Sequence, residues 1–290
     1  MKKKLLTMLS VLGTVGTLCA CASGQQPAGN TDAPAASADA PADTAATDSD
    51  YEYIKGNGKL VIGITYYEPM NYKAEDGTLT GFDTEFAEAV CAKLGVTPEF
   101  QEIDWDMKET ELKSRNIDCI WNGLTVTEER RANMDFSKTY LINKQCVVVN
   151  QENASTYTDT ASLSGAMLSA ESGSAGETAI TSDANLSQAS YTASNSQQDA
   201  LIALNAGNYD AIVIDYTMAL SSVGSGDFSN LVIVDGIELA NEEYAIGFRT
   251  GSDMTASVNS IIDELIADGT LETIASHYDG LTDLYNAAVK

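Results

Sequence analysis

Apolar positions along the chain follow two alternating rhythms. Residues 59–65 (KLVIGIT) form a short β-branched run and predict a strand. Phe82, Phe86, Val90 and Leu94 then return every four residues, as on one helix face, and Gly95 stands where a helix C′ glycine belongs. Residues 100–103 predict the next strand, 105–114 a short helix and 117–121 a buried strand. Thr127 before Glu128 and Glu129 has the chemistry of an N-cap with acids in the first turn. The order βαβαβ predicts a mainly parallel sheet.

A second series starts at residues 146–149 (CVVV). Residues 166–170 are weakly strand-like, 173–180 turn into a helix, 197–205 (QQDALIALN) are helical up to Gly207, and 211–215 (AIVID) read as a strand. Extended segments at 231–234 and 244–248 follow. A long amphipathic helix then carries Val258, Ile261, Ile262, Leu265 and Ile266 and stops at Gly269, ahead of a last helix at 271–278. Two α/β units therefore occupy the 240 residues from Tyr51 onward.

The N-terminal fifty residues break this rhythm. Lys2, Lys3 and Lys4 precede an apolar run at 5–18 that is too short to span a bilayer comfortably and reads as an export signal over 1–20. Leu18-Cys19-Ala20-Cys21 has the form of a bacterial lipobox, which makes Cys21 the expected lipidation site and membrane anchor; cleavage near Ala20 or Ala22 by ordinary secretion is the competing reading. Residues 22–50 carry no aromatic or large aliphatic side chain, so ordering them would not be offset by burial. With the anchor at its head, 21–50 is expected to be a tether reaching roughly 30 Å. The expected location is the outer surface of a bacterial membrane.

Charge narrows the partners. The signal holds three of the 16 Lys and Arg and none of the 42 Asp and Glu, so 13 bases face 42 acids in the remainder, a net of −29. Nucleic acid and anionic lipid are poor partners for that surface. Cys91, Cys119 and Cys146 each sit in an apolar stretch, and an odd number cannot all pair; they read as buried thiols. His277 is the only histidine and no Cys-x-x-Cys spacing occurs, so neither a metal nor a cofactor is expected.

Several segments in order resemble the solute-binding proteins, family 3, of polar amino-acid ABC importers: Leu60-Val61-Ile62-Gly63 with Pro69; Gly81-Phe82-Asp83; Lys93-Leu94-Gly95-Val96; Ile117-Asp118 and Asn122 to Arg130; Asp135-Phe136-Ser137; Ser172-Gly173-Ser174; and Asp268-Gly269-Thr270. The resemblance covers about 55–280. It implies a periplasmic-binding-protein-like α/β fold, with lobe 1 at 51–145 plus 245–290, lobe 2 at 146–244 and a two-strand hinge. The implied function is to bind a free, polar L-amino acid, as a monomer without catalysis, and to deliver it to an ABC permease.

A free amino acid carries a carboxylate and an ammonium on one carbon, so its receptor needs a cationic fork and an anion a short distance apart. Arg130 supplies the fork, since guanidinium grips a carboxylate bidentately; by residues alone it also reads as an exposed helix arginine, like Arg131 beside it. Asp215 ends an apolar strand, where ligands of open α/β sheets sit, and the family uses an aspartate there for the α-ammonium. Its competing role is to cap the helix that follows, while Asp210 precedes the strand and is the weaker candidate. Ser172, Gly173, Ser174 and Ala175 open a helix whose N–H groups suit an anion. By resemblance, Asn122, Gly123 and Thr125 share the ammonium and carboxylate contacts, with the Asn122 side chain as an extra one. Substrate choice is assigned to Tyr66, Tyr67, Glu68 and Trp105, with Trp121 read as core. Thr65 stands where basic-amino-acid members have aspartate, which disfavours lysine- or arginine-type ligands, although Glu68 still offers an acid for a cationic or amide side chain. Two rivals remain: a cyclohexadienyl-dehydratase-like enzyme, and a surface sensor or adhesin.

Overall fold

The computed structural model describes residues 49–290; the expected signal at 1–20, Cys21 and the tether up to residue 48 lie outside them. The described chain opens with α1 (Asp50–Asn57), which the apolar pattern does not announce. Ser49 caps it by accepting a hydrogen bond from the Glu52 amide, and Asp50 is buried against Arg249 at 3.0 Å. Both residues fall within the expected tether, yet they belong to the folded body, because a long-range ion pair holds a helix whose own apolar face is slight.

After α1 come β1 (Lys59–Ile64), the hairpin β2 (Tyr72–Lys73) and β3 (Leu79–Thr80), α2 (Phe82–Leu94), β4 (Thr97–Glu102), α3 (Lys108–Lys113), β5 (Cys119–Ile120), α4 (Glu128–Arg131) and β6 (Met134–Phe136). Gly95 ends α2 in the left-handed conformation, φ 70°, as expected. The helix foreseen at 105–114 divides into a 3₁₀ turn at Trp105–Met107 and α3. The strand expected at 117–121 pairs only at β5.

The long β7 (Leu141–Asn150) leads into β8 (Met167–Glu171), α5 (Ala175–Ser182), β9 (Ser190–Ser194), α6 (Gln197–Asn205), β10 (Ala211–Asp215), α7 (Tyr216–Ser222) and β11 (Leu231–Ile233). The chain returns through β12 (Asn241–Tyr244) and β13 (Gly247–Arg249), then ends in α8 (Met254–Ala267), α9 (Thr270–Ala275) and α10 (Leu281–Val289).

Among the described residues the strands form two principal sheets. The first has the order β4-β1-β5-β13-β6, the second β11-β7-β10-β8-β9. β4, β1 and β5 are parallel, as the βαβαβ pattern requires, but β13 enters between β5 and β6 antiparallel to both. The first sheet is thus completed by a strand from the far end of the chain. β7 and β12 run antiparallel from Leu141↔Tyr244 to Lys144↔Asn241 and form the two crossings between the sheets.

Alternate residues of the central strands enter different cores, the period-two signature of a sheet covered on both faces. In β10, Ile212 and Ile214 join the largest apolar cluster while Ala211 and Val213 join another; β7 divides Cys146 and Val148 from Val147 and Val149 in the same way. Each large side chain so buried contributes roughly 1.5–3 kcal/mol. α10 packs against β7 of the second sheet rather than against the first. Cys91, Cys119 and Cys146 are free and buried, and burial pushes the Cys91 thiol up to about 12. Among the described residues, no helix is long and apolar enough to cross a membrane and no acid, histidine or cysteine cluster could hold a metal.

Candidate functional site

Strand ends of both sheets face one narrow pocket with about 10 Å³ of free space, walled by Tyr67, Trp105, Asn122, Gly123, Thr125, Arg130, Glu171, Ser174, Ala175, Gln197 and Asp215. A wider cleft, lined among others by Asp106, Lys108 and Glu242, shares Thr125, Arg130 and Ala175 with it.

Arg130 is placed by a four-residue helix. Thr127 caps α4 by accepting from the Arg130 amide at 3.1 Å, which turns the guanidinium inward. The side chain is buried, and burial holds its pKa below the usual value despite the nearby charge of Glu242. Nη1 donates to Thr125 O at 2.7 Å and Nη2 to Gly173 O at 3.1 Å. Guanidinium has five donors, so two carbonyl bonds fix its plane and leave capacity for a carboxylate.

Asp215 closes β10 opposite. It occupies the N-cap position of α7 but makes no side-chain cap bond, so its carboxylate is turned to other partners. Oδ1 accepts from Asn143 Nδ2 and Gln145 Nε2, each at 2.7 Å, and Oδ2 accepts from Gln197 Nε2. Burial raises its pKa while those neutral donors oppose the rise. Glu242 stands beside it, accepting from Asn143 at 2.9 Å, from Gln145 and from Thr125 Oγ1 at 3.2 Å. Its pKa too is raised, by burial first and by Asp215 second.

The loop before α5 brings the two sides together. Gly173 has φ +68°, and a Cβ there would lie 3.0 Å from Asp106 Oδ1 and 3.1 Å from Asp106 Cα, so only glycine permits this approach. Its carbonyl accepts from Arg130 and, at 2.9 Å, from Lys108 Nζ. Ser174 caps α5 by accepting from the Glu177 amide, while Glu177 Oε2 accepts from the Gly173 amide at 2.7 Å, a capping box displaced by one residue. Ser174 and Ala175 line the cavity, whereas Ser172 does not; its amide pairs with Ser194 O.

Gly123 lines the cavity with φ +57° and donates its amide to the buried Asp83 at 2.7 Å. Asn122 also reaches the wall, but its side chain is fully used. Nδ2 donates to Thr65 O and Asn71 Oδ1, and Oδ1 accepts from the amide and hydroxyl of Thr65. The extra ligand contact expected of that amide is therefore replaced by a brace between loops. Of the aromatic and acidic candidates, Tyr67 and Trp105 line the cavity; Tyr67 donates or accepts at Tyr244 and Thr217 hydroxyls. Tyr66 stacks under Lys73 and Glu68 is exposed, both off the wall. Trp121 is buried edge-on to Phe86 at 4.8 Å, a core residue.

Sequence reasoning passed over Glu171, Gln197, Asn143, Gln145, Glu242 and Lys108. A signal existed for two of them: Leu141, Asn143 and Gln145 are the buried positions of an alternating stretch, and polar residues on a buried face are the informative kind.

Over residues 60–280 the chain matches the family model for bacterial extracellular solute-binding proteins, family 3. It is 28% identical over 229 residues to the L-cystine-binding protein TcyJ of Escherichia coli, covering 78% of this chain and 85% of that protein. It is 30% identical over 218 residues to the L-arginine-binding protein of Pseudomonas aeruginosa, covering 73% and 84%. A solved ancestral arginine-binding protein bound to arginine has a TM-score of 0.72 at 31% identity, covering 77% of this chain and 99% of that one. The matched span takes in both sheets and the cavity between them, and the chain belongs to the bacterial extracellular solute-binding proteins, family 3, with their two-lobed α/β fold and general amino-acid-binding role.

Proposed function

We propose that this protein is the substrate-binding component of an amino-acid ABC importer, closing on one free L-amino acid and passing it unchanged to a membrane permease. The observation that carries this reading is the placement of two buried, opposite charges on one small cavity: Arg130 from the first sheet's side and Asp215 from the second's. A carboxylate on Arg130 and an ammonium on Asp215 satisfy a zwitterion at both ends. Thr125 and the 173–175 amides add donors and acceptors around it, and Tyr67 and Trp105 cover its carbon frame.

The working lobes are 51–145 with 245–290 and 146–244, hinged where β7 crosses β12. Packing of α10 on β7 supports counting residues 281–289 with the second lobe instead. The chain is taken to be exported and held at the cell surface through a lipid on Cys21, acting as a monomer. Among the relatives named, the printed functions are binding functions, which supports a carrier rather than an enzyme.

A thermal-shift screen of the twenty amino acids and cystine, followed by calorimetry, tests the reading. At least one α-amino acid should stabilise the protein and be recovered chemically intact. Arg130→Ala should weaken that ligand by at least about 100-fold with the melting curve otherwise retained. No α-amino acid hit, or equal binding by the variant, would refute the clamp.

A further inference from the structure

β8 ends in Glu171, whose carboxylate is 2% exposed and lines the same cavity as Arg130 and Asp215. Its position follows from the sheet. β8 and β10 are parallel neighbours, paired at Ala211↔Leu168 and Ile212↔Ser169, so their C-terminal ends carry Glu171 and Asp215 to one wall. The two acids differ in their partners. Asp215 is filled by three amide donors, whereas Glu171 Oε1 has no hydrogen-bond partner among the described residues. A buried carboxylate oxygen without a donor is costly unless something else supplies one.

Counting charge around the cavity shows what is missing. A zwitterion uses Arg130 for its carboxylate and Asp215 for its ammonium, one charge against one. Lys108, the other buried cation nearby, donates to two backbone carbonyls, Trp105 O at 3.0 Å and Gly173 O at 2.9 Å. Glu242 already has donors from Asn143, Gln145 and Thr125. Of these charged groups, Glu171 is the one that lines the cavity with a buried oxygen lacking a donor.

We propose that Glu171 is a specificity-determining residue that accepts a hydrogen bond from a second cationic nitrogen of the ligand, so that the protein selects α-amino acids carrying two positively charged nitrogens. This rests on the reading that Arg130 and Asp215 hold the zwitterion. Two sources share the chemistry: a basic side chain, or the second amino-acid head of a diamino diacid such as cystine. Thr65, on the first-lobe loop, pointed away from basic ligands; the acid comes instead from the opposite lobe, in a strand-end position that no spacing on the first lobe reveals. Burial first, and the charge of Asp215 second, push the Glu171 carboxyl up to about 8, so near neutrality it holds a proton that an arriving cation displaces.

The test is calorimetry of the full chain with L-lysine, L-ornithine, L-arginine and L-cystine, against the neutral analogues L-norleucine and L-citrulline. The wild type should bind at least one dicationic-nitrogen ligand about 30-fold or more tighter than its neutral analogue. In Glu171→Gln that preference should shrink by about tenfold or more, the cationic ligand losing more affinity than its neutral analogue. Titration in two buffers of different ionisation enthalpy should show more proton release near pH 7 for the preferred ligand than for norleucine, whose ammonium meets only Asp215 and the adjoining Glu242. Preference for lysine, ornithine or arginine identifies a basic side chain, and preference for cystine alone identifies a second amino-acid head. Tight binding of neutral amino acids with no such preference overturns the proposal while leaving the Arg130–Asp215 clamp standing. Equal weakening of both ligand classes in Glu171→Gln also overturns it. If the variant does not fold, the wild-type preference and its proton release decide the matter alone. Absence of any α-amino-acid binding defeats the clamp and this proposal together.

Discussion

The cationic and anionic halves of the cavity are built by opposite means. Asp215 is held from its own sheet and the adjoining crossing strand: Gln197 from α6, and Asn143 and Gln145 from β7, all neutral amides. Arg130 takes one bond within its own segment, to Thr125 O, and another across the cleft, to Gly173 O. The anionic half is therefore organised by the second sheet and the helix packed on it, while the cationic half is completed by approach of the loop before α5. Neutral amide donors keep an acid in place without cancelling its charge; a buried counter-cation would do the first and spoil the second. On the clamp reading proposed above, the anionic half encodes affinity and the cationic half closure.

Replacing the two charges compares the halves directly. Arg130→Ala should cost the most, at least about 100-fold in calorimetric affinity as stated above, and Arg130→Lys should recover little of it because an ammonium lacks the planar fork. Asp215→Asn should weaken binding by about 10–100-fold, since the amide cage survives and still orients an oxygen at the ligand. Equal losses in the two variants would dissolve the contrast.

Lys108→Met sharpens the closure side. It removes one of the two cations on the Gly173 carbonyl but leaves Arg130 there, so affinity should fall by about three- to tenfold, a single charge-assisted bond partly compensated. Stopped-flow release should account for most of the loss. A drop confined to the association rate would locate Lys108 in encounter rather than in holding the lobes together.

The smallest effect concerns the ligand-free protein. Burial raises the carboxyls of Asp83 to about 7 and Glu171 to about 8, with Asp215 and Glu242 shifted the same way. In the unfolded chain these groups release their protons near the ordinary value of about 4. The folded state thus binds more protons between those limits. Stability from this source is complete below about pH 4, declines as pH rises, and is gone once pH passes about 8. A scan without ligand should show a lower melting temperature at pH 9 than at pH 6, and Glu171→Gln should flatten the slope. A rising melting temperature across that range would contradict the assignment of the anionic half as buried and under-neutralised.

Much of this was legible in the sequence wherever the signal was local. The Thr127 cap, the Gly95 stop, the strand ending at Asp215 and the helix opening after Gly173 all depend on neighbours within a few residues. What escaped depends on distant partners. Asn122 looks available until Thr65 and Asn71, more than fifty positions earlier, are seen to absorb its amide. Glu171 looks like an ordinary acid after an apolar run until β10 is laid beside β8. Insertion of β13 between β5 and β6 joins segments over a hundred residues apart, and no periodicity carries that information.

Entry of the chain at α1 has a mechanical consequence. Ser49 Oγ and the Tyr51 amide are fastened to Asp253, and Asp50 to Arg249 of β13. Any pull along the chain ahead of Ser49 is thus delivered to the first sheet and the start of α8, through bonds loaded together rather than in succession. The second sheet meets that load through the two crossings, β7 and β12, through α10 packed on β7, and through the bonds of Arg130 and Lys108 to Gly173. On the clamp reading proposed above, the first lobe is the stator and the second the moving arm, so a protein drawn by its N-terminus would keep its clamp free to open and shut.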